Sequence, residues 1–380
     1  MAYHEQHGIV SSNRASGWIR TTCLRLNRGM NFKIRLHNLL FLLAAAFFYL
    51  AAPLALAEQK PAATGQFLGA KSTEYPAWFK ESFLDFNEDL KEAAANGKRL
   101  LILFHQEGCP YCNLLVERNL SQKGIETFMQ KHFEVIAINM WGDREIATID
   151  DKHLTEKQFA EALKVQFTPT LVFLDEEGKQ VLRLNGYMPP ERFMLALQYG
   201  NGQGASGQSF RQFMHQRAPV KSTGKLIAED FFITGPINLQ SLDQSRPFAV
   251  FFEQKDCPAC KTLHEKILGD EETRKLVAGF NSIQLDMWGK TEMTLFDGKK
   301  ISARDWARKL GIHYAPTIVL FNPEGSEIIR SEAMFKTFHA QSIFDYVLSG
   351  AYKSQPNFQR FLEARADTIR KQSKDVDIWK

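Results

Sequence analysis

The sequence contains the motif Cys-Pro-X-Cys twice, and the two copies lie 148 residues apart. The first copy is Cys109-Pro110-Tyr111-Cys112 and the second is Cys257-Pro258-Ala259-Cys260. Each copy follows a short apolar run, Leu100 to Phe104 in one case and Phe248 to Phe252 in the other. A motif that returns in the same local context predicts a chain built from two copies of one folding unit.

Other matched segments show that the duplication extends well beyond the cysteines. They are Trp141-Gly142 with Trp288-Gly289, Thr168-Pro169-Thr170 with Ala315-Pro316-Thr317, and Phe210 to Phe213 with Phe358 to Phe361. The Gly- and Ser-containing stretch 200–209 therefore lies inside the first repeat, and we place the domain boundary after it. The predicted organisation is an untranslated or non-functional extension (1–29), a signal peptide (30–57), a mobile lead (58–74), a first domain (75–218), a linker (219–225) and a second domain (226–380).

The signal peptide is predicted from a short basic segment after Met30 and an uncharged stretch over 38–57. Ala55-Leu56-Ala57 is a small-residue cleavage site directly before Glu58. An uncleaved membrane anchor is the alternative, because residues 39–57 are nearly long enough to span a bilayer. Cleavage would leave four cysteines in two motifs, which suits an oxidising compartment.

Net charge argues against nucleic-acid binding. Residues 1–57 carry six of the 47 Lys and Arg residues and one of the 43 Asp and Glu residues, so the remainder is close to neutral. A nearly neutral protein has no excess of Lys and Arg to replace the counterions of a nucleic acid.

Apolar spacing predicts alternating helices and strands in the first unit. We expect helices over 78–95, 113–130 with a break at 121–124, 154–164 and 190–199. We expect strands over 100–104 and 133–140 and a hairpin formed by 170–174 and 179–184. In the second unit, residues 231–246 form a weaker helix candidate that Gly235-Pro236 interrupts.

A cysteine at the junction of a strand and a helix is suited to thiol chemistry. Free backbone N–H groups and the helix dipole favour its thiolate, so Cys109 is predicted to be the nucleophile. Cys112 lies one helical turn further on and can resolve a mixed disulfide on Cys109. Cys257 and Cys260 are assigned the same two roles in the second unit.

The order of strand, Cys-Pro-X-Cys helix, strand, helix and Pro-containing hairpin resembles the thioredoxin fold, twice. The stretches 104–112 and 168–178 are similar to periplasmic thioredoxin-related proteins, including those associated with sulfur oxidation. This resemblance implies an α/β fold with two tandem thioredoxin-like domains, each a central mixed β-sheet flanked by helices, and a periplasmic location. It also implies that Pro169 and Pro316 are cis and that the backbone of Thr168 and Ala315 is exposed to pair with an extended substrate.

Two departures from ordinary thioredoxins leave the redox direction open. Leu103 and Phe251 occupy the position of the buried Asp that assists proton transfer in that family. Gly108 and Asp256 precede the motifs where thioredoxins have Trp. Residues next to the cysteines tune the reduction potential. The direction of electron transfer therefore cannot be inferred from the family.

These residues also allow several other interpretations. The four cysteines could form one zinc site if the domains docked, one pair could hold copper(I), or each pair could be a structural bridge. Attachment of haem c is excluded, because Asn113 and Lys261, not His, follow the motifs. His105, Trp141 and Trp288 are favoured as packing groups. We assign no metal and no cofactor.

The sequence thus predicts an exported thiol:disulfide oxidoreductase, with reduction as the favoured direction. A disulfide oxidase or isomerase is one alternative, and a copper-binding or scaffold module is another. The predicted partners are disulfide-containing or dithiol client proteins, or small sulfur compounds, together with a membrane thiol donor that recharges the sites. No nucleic-acid partner is expected.

Overall fold

The computed structural model describes residues 64–217, 224–332 and 336–379. The predicted extension (1–29), signal peptide (30–57) and most of the predicted linker (219–225) lie outside these residues. No helix in the described ranges is long and apolar enough to cross a membrane.

The first domain contains the elements that the repeat predicts, in the predicted order. They are β1 (Phe67–Leu68), α1 (Phe86–Ala95), β2 (Arg99–His105), α2 (Pro110–Leu114), a π-helical turn (Leu115–Leu120), α3 (Lys123–His132), β3 (Phe133–Asn139), β4 (Glu145–Ala147), β5 (His153–Thr155), α4 (Glu156–Ala162), β6 (Thr170–Leu174), β7 (Gln180–Asn185), α5 (Pro190–Gly200) and α6 (Phe210–Arg217).

The second domain repeats this order with one helix fewer at its start. Its elements are β8 (Ile237–Asn238), a 3₁₀ turn (Leu239–Ser241), β9 (Phe248–Glu253), α7 (Pro258–Thr262), a π-helical turn (Leu263–Leu268), α8 (Glu271–Val277), β10 (Asn281–Asp286), β11 (Glu292–Thr294), β12 (Lys300–Ser302), α9 (Ala303–Lys309), β13 (Thr317–Phe321), β14 (Glu327–Ser331), α10 (Thr337–Leu348), a 3₁₀ turn (Ala351–Lys353), α11 (Phe358–Lys371) and β15 (Val376–Asp377).

Each domain has a central four-stranded mixed sheet, in the order β3-β2-β6-β7 or β10-β9-β13-β14. The first pair of strands is parallel and the other two pairs are antiparallel. Strands β2 and β9 are buried along nearly their whole length, because helices cover both faces of each sheet. The predicted fold class, two α/β domains with mixed sheets flanked by helices, is confirmed.

The register of the sheets brings two distant parts of the sequence together. Thr170 at the start of β6 lies opposite Phe104 near the end of β2, and Thr317 lies opposite Phe252. A Pro-containing turn precedes each of these threonines. This pairing therefore places the turn at the end of the strand that leads into the cysteine motif.

The helix predicted over 78–95 is wrong in its first half, because α1 begins only at Phe86. Leu84 has a left-handed φ of 64°, which ends any helical run before it. Asp85 then caps the helix by accepting hydrogen bonds from the backbone N–H groups of Asn87 and Glu88. Trp78 packs against the first core from irregular backbone instead.

The weak helix predicted over 231–246 is also wrong. This stretch holds only the short strand β8 and a 3₁₀ turn, Leu239–Ser241. Gly235 has a left-handed φ of 93°, and Pro236 cannot donate a helical hydrogen bond, so the backbone turns there.

The predicted mobile lead (58–74) needs correction where the structure describes it. Strand β1, Phe67–Leu68, pairs in parallel with β15, Val376–Asp377, at the carboxyl end of the second domain. The Gly65 N–H also donates to the Arg370 carbonyl oxygen at 2.9 Å. These hydrogen bonds hold the lead against the far end of the chain.

The two domains pack into one compact unit through reciprocal helix contacts. Arg211 on α6 of the first domain donates to the carbonyl oxygens of Met287 and Arg304 in the second. Gln359 on α11 of the second domain donates to the Gln166 carbonyl oxygen of the first at 2.9 Å. Helices α6 and α11 occupy equivalent positions in the repeat. Each domain therefore contacts the other through the same helix.

Candidate functional site

The first cysteine pair lies at the amino end of α2. Cys109 is the residue that caps this helix, and its Sγ accepts a hydrogen bond from the Cys112 N–H at 3.1 Å. Pro110 begins the helix, where a missing N–H costs nothing. Cys109 and Cys112 form a disulfide, with their Cα atoms 5.3 Å apart. The backbone N–H on the sulfur is the feature that would stabilise a thiolate in the reduced state.

The second pair repeats this geometry at the start of α7. The Cys257 Sγ accepts a hydrogen bond from the Cys260 N–H at 3.0 Å. Cys257 and Cys260 form a second disulfide, with their Cα atoms 5.1 Å apart. The residue before the motif is Asp256, which has a left-handed φ of 49°, where the first site has Gly108 at 72°.

A cis-proline turn stands beside each disulfide. The Thr168-Pro169 and Ala315-Pro316 peptide bonds are both cis, as the resemblance implied. The Thr168 carbonyl oxygen lies 3.5 Å from the Cys109 Sγ, and the Ala315 carbonyl oxygen lies 3.9 Å from the Cys257 Sγ. The structure thus brings all eight predicted site residues together as two groups of four.

The two sites differ in one direct contact to sulfur. The Thr168 hydroxyl donates a hydrogen bond to the Cys109 Sγ at 3.3 Å. Ala315 holds the equivalent position in the second site and has no hydroxyl to offer. The reduced first site therefore has two donors for its thiolate, the Cys112 N–H and this hydroxyl.

In both sites the first cysteine is the one that retains some exposure. Cys109 is 2% exposed and Cys257 is 8% exposed, whereas Cys112 and Cys260 are more deeply buried. The attacking role of Cys109 and Cys257 and the resolving role of Cys112 and Cys260 stay predictions, and this order of burial is compatible with them.

The expectation that Thr168 and Ala315 expose their backbone is not met in this arrangement of the domains. Thr168 is 6% exposed and Ala315 is 1% exposed. Phe167, next to Thr168, packs on Phe358 of α11, with ring centroids 5.4 Å apart. The packed domains cover the edge where an extended substrate would pair.

Tyr111, inside the first motif, is held by the second domain. Its hydroxyl accepts a hydrogen bond from the Lys336 N–H at 3.1 Å, and its ring packs on His339 and Trp379. Burial raises the pKa of Tyr111 and lowers the pKa of His339 to about 4, so both are neutral near pH 7. The sequence did not reveal this contact, because nothing local in either segment points to the other.

Polar and cationic side chains near the motifs contact the two matched tryptophans, Trp141 and Trp288. The Trp141 indole N–H donates to Gln106, and the Trp288 N–H donates to Gln254 in the equivalent place. Arg360 lies over the ring of Trp141 and Arg211 over that of Trp288, at 4.7 and 4.2 Å from the ring centroids. Each tryptophan thus packs against an arginine of the opposite domain.

His105 ends strand β2 and is half buried against the ring of Tyr75, with centroids 4.8 Å apart. Burial lowers its pKa, so the ring is neutral near pH 7 and supplies no charge.

The cavities beside the two disulfides differ in volume and in polarity. A cavity of about 740 Å³ lies against Cys109 and is bounded by α11 of the second domain. A much smaller cavity of about 140 Å³ lies beside Ala259 and the Ala315-Pro316 turn, and its other wall is the apolar face of Met188 and its neighbours. Pro258 and Ala259 themselves are exposed.

No group of three or more His, Cys, Asp or Glu side chains in the described ranges is placed to hold a metal ion. A zinc site made of all four cysteines requires them to meet, and in the structure each pair forms its own disulfide.

Comparison with known proteins agrees with the duplication. A family model described as a thioredoxin-like domain matches residues 86–201 and again residues 240–345, together more than half of the chain. No curated protein matches the sequence.

Among solved structures, a thioredoxin-fold protein from Helicobacter pylori is 25% identical, with a TM-score of 0.28, over 32% of this chain and 80% of its own. A thioredoxin from Thermus thermophilus is 24% identical, with a TM-score of 0.26, over 38% and 94%. The oxidised carboxyl-terminal domain of Neisseria meningitidis DsbD is 13% identical, with a TM-score of 0.24, over 30% and 92%.

Proposed function

Because this chain belongs to the thioredoxin-like domain family and is a thiol-disulfide oxidoreductase with two Cys-X-X-Cys sites, we propose that it works after export and in the reducing direction. The observation that carries the exchange chemistry is the environment of the two attacking sulfurs, which favours their thiolates. Cys109 and Cys257 each begin a helix and accept a backbone hydrogen bond, with the resolving cysteine one turn away.

The reaction at each site is a pair of exchanges. The thiolate of Cys109 attacks a client disulfide, forms a mixed disulfide and releases one client thiolate. The Cys112 thiolate then attacks the Cys109 Sγ, which releases the second client thiol and leaves the disulfide seen in the structure. The client gains two electrons and the site loses two. A membrane dithiol donor returns the site to the reduced form, and Cys257 and Cys260 follow the same sequence.

The reducing direction is supported by the second site. The carboxylate of Asp256 is adjacent to Cys257 and disfavours a thiolate there, which makes the dithiol a better electron donor. Clients are proteins or small sulfur compounds with accessible disulfides.

Export is supported by the basic segment after Met30 and the uncharged stretch that ends at Ala57. The expected location is the periplasm. Amino-terminal sequencing of protein recovered from an exporting host should begin at Glu58. Retention of residues 39–57 in a membrane fraction would replace this account with an anchored protein.

The direction is tested by trapping the cysteines in a cell that exports the protein. Rapid acid quenching, alkylation of free thiols and mass spectrometry report each pair separately. A reductase is mainly in the dithiol form at steady state and becomes oxidised when its donor is deleted. Two pairs that stay fully oxidised in growing cells and become reduced only when an oxidant is removed would establish an oxidase instead.

A further inference from the structure

A short strand of the lead passes directly beside the first disulfide. Strand β1, Phe67–Leu68, is followed by Lys71, whose backbone N–H donates to the Gly108 carbonyl oxygen at 3.3 Å. Gly108 is the residue before Cys109, and Phe67 lines the same cavity as Cys109. The strand therefore borders that cavity and leads towards the attacking sulfur.

Only one edge of β1 is paired, because its sheet has two strands. The Gln66 carbonyl oxygen accepts a hydrogen bond from the Val376 N–H of β15 at 2.8 Å. The Leu68 carbonyl oxygen accepts one from the Ile378 N–H at 3.0 Å. Backbone groups alternate in direction along a strand, so the N–H and C=O of Phe67 point to the opposite edge. In the part of the chain that the structure describes, nothing pairs with them there.

The side chains of this strand are apolar and exposed. Phe67 is 42% exposed and Leu68 is 39% exposed, and they are two of the four large apolar side chains that are exposed in the described ranges. An unpaired edge with exposed apolar side chains is a template for a further strand, and proteins normally block such an edge. Beside a reactive cysteine, the same property is suited to binding a substrate by strand addition.

The strand is held in position by the carboxyl end of the chain. The Gly65 N–H donates to the Arg370 carbonyl oxygen at 2.9 Å, and the Arg370 Nε donates back to the Gly65 carbonyl oxygen at 3.0 Å. The Gln66 N–H donates to the Asp375 carboxylate at 2.7 Å. A Cβ atom on Gly65 would collide with the Lys374 carbonyl oxygen, so this approach requires glycine. An edge that is already ordered binds a partner without the entropy cost of ordering β1.

Resting on the proposed function, we propose that the outer edge of β1 binds an extended apolar segment of a client protein as an added strand and brings the disulfide of that segment to Cys109. The occupant is a client because the edge borders the attacking sulfur, whereas the backbone edge at the cis-proline turn is buried at Thr168. Main-chain pairing selects unfolded or partly folded clients, since the strands of a folded client are already paired.

The covalent step is the exchange described for the first site. The Cys109 thiolate forms a bond to one sulfur of the bound disulfide, the bond between the two client sulfurs breaks, and the other sulfur leaves as a thiolate. The Cys112 thiolate then displaces the second client sulfur and forms the Cys109–Cys112 disulfide. The client gains the two electrons that the site loses, and its thiolates take up protons from water.

The test uses the full chain with the second site removed by Cys257→Ala and Cys260→Ala. The first probe is a linear peptide of alternating apolar residues whose single cysteine is joined to 2-mercaptoethanol as a mixed disulfide. The second is the same peptide N-methylated at its backbone amides, which cannot pair as a strand. The third is bis(2-hydroxyethyl) disulfide, which has no backbone. The reduced protein is mixed with each probe, and rates are followed by rapid quenching and alkylation.

The peptide should react about tenfold faster than its N-methylated copy. Phe67→Pro removes the outward N–H and leaves both carbonyl contacts to β15, so it should slow the peptide about fivefold and leave the small disulfide unchanged. Fivefold corresponds to about 1 kcal/mol, the net contribution of one hydrogen bond. Phe67→Ser should slow the peptide by a similar factor, because an apolar contact is lost. Its matched control is Phe83→Ser, which removes a fully exposed ring that is not part of the cavity wall and should change no rate.

A peptide that reacts no faster than its N-methylated copy, or one that Phe67→Pro and Phe67→Ser both leave unaffected, would overturn the docking proposal. A protein that sediments as a dimer and becomes a monomer with Phe67→Pro would also overturn it, because a second copy then covers the edge. A first site that reacts with none of the three probes would instead overturn the proposed function.

Hydrogen exchange of the Val376 and Ile378 amides shows whether β1 stays paired with β15 in each variant. Slow exchange at both amides should persist in Phe67→Pro and Phe67→Ser. If either variant loses it, the comparison of the peptide with its N-methylated copy decides the proposal, since that comparison leaves the strand unchanged.

Discussion

The Thr168 hydroxyl donates a hydrogen bond to the Cys109 Sγ at 3.3 Å, and this contact has no equivalent in the second site. A thiolate is a stronger acceptor than a disulfide sulfur, so the hydroxyl stabilises the reduced form more than the oxidised form. It therefore makes the first site easier to reduce.

Thr168→Val should lower the reduction potential of the first site. The lost hydrogen bond is worth about 1 kcal/mol, which corresponds to about 20 mV for a two-electron couple. Alkylation and mass spectrometry across a glutathione redox series measure both sites in one sample. The second site serves as the internal control, and its potential should not move. An unchanged first site would mean that the hydroxyl does not stabilise the thiolate.

Asp256→Asn should raise the potential of the second site. Removing the carboxylate next to Cys257 removes its repulsion of the thiolate, and Asn tolerates the left-handed φ of 49° that this position adopts. We expect a rise of about 10 to 20 mV, from a Coulomb energy of about 0.5 to 1 kcal/mol near the surface. In the unmodified protein, Thr168 and Asp256 act in the same sense, so the second site should be the more reducing. Equal potentials in the two sites would contradict this.

Cys112→Ser and Cys260→Ser should each accumulate mixed disulfides with clients, because the attacking sulfur remains while the resolving sulfur is gone. Cys109→Ser should trap nothing at the first site, since the buried Cys112 cannot be reached. Non-reducing gels of protein recovered from an exporting host show the adducts. Equal trapping by Cys109→Ser and Cys112→Ser would contradict the assignment of Cys109 as the attacking cysteine and Cys112 as the resolving cysteine.

His264 should make the stability of the second domain depend on pH. Burial lowers its pKa, but hydrogen bonds and charge from Glu253 and Glu229 outweigh this, so the pKa is raised above its ordinary value. Its two ring nitrogens lie 3.0 Å from Glu253 and 2.9 Å from Glu229. A raised folded pKa means that this stabilisation is complete below about pH 6.5 and is lost as pH rises through the higher folded value.

The measurement is urea unfolding of His264→Gln and the unmodified protein between pH 5.5 and about pH 8.5. At low pH the variant should be less stable by about 3 kcal/mol, since Glu253 is fully buried and loses its charged partner, and the difference should shrink at high pH. His153→Gln, which removes an exposed pair with Glu145, should cost under about 1 kcal/mol. A difference that grows with pH would show that His264 is buried in its neutral form.

The sequence was sufficient for the parts of the fold that depend on short-range patterns and on the duplication. Strands β2 and β6, the break after Leu120 and both motif helices follow from apolar spacing and local residue types. Apolar spacing predicts too early a start for the first helix, because Trp78 and Phe79 continue that spacing. The true start follows Asp85, a favourable capping residue.

The packing of one domain against the other could not be predicted from short-range patterns or from the duplication. Tyr111 and Lys336 are 225 residues apart, and their hydrogen bond depends on how two folded surfaces meet. The duplication identified α6 and α11 as equivalent helices but gave no sign that Arg211 and Gln359 reach into the opposite domain. Burial of Thr168 and Ala315, which changes the view of substrate access, follows from this packing and from nothing local.

The central claim is that both disulfides are redox-active rather than structural. Equilibration of the unmodified protein across a glutathione series, with each pair counted by alkylation and mass spectrometry, tests it most directly. The account predicts two separate two-electron transitions within roughly −270 to −120 mV, the first site at the higher potential. Two pairs that remain oxidised until potentials below about −300 mV, as structural disulfides do, would contradict it.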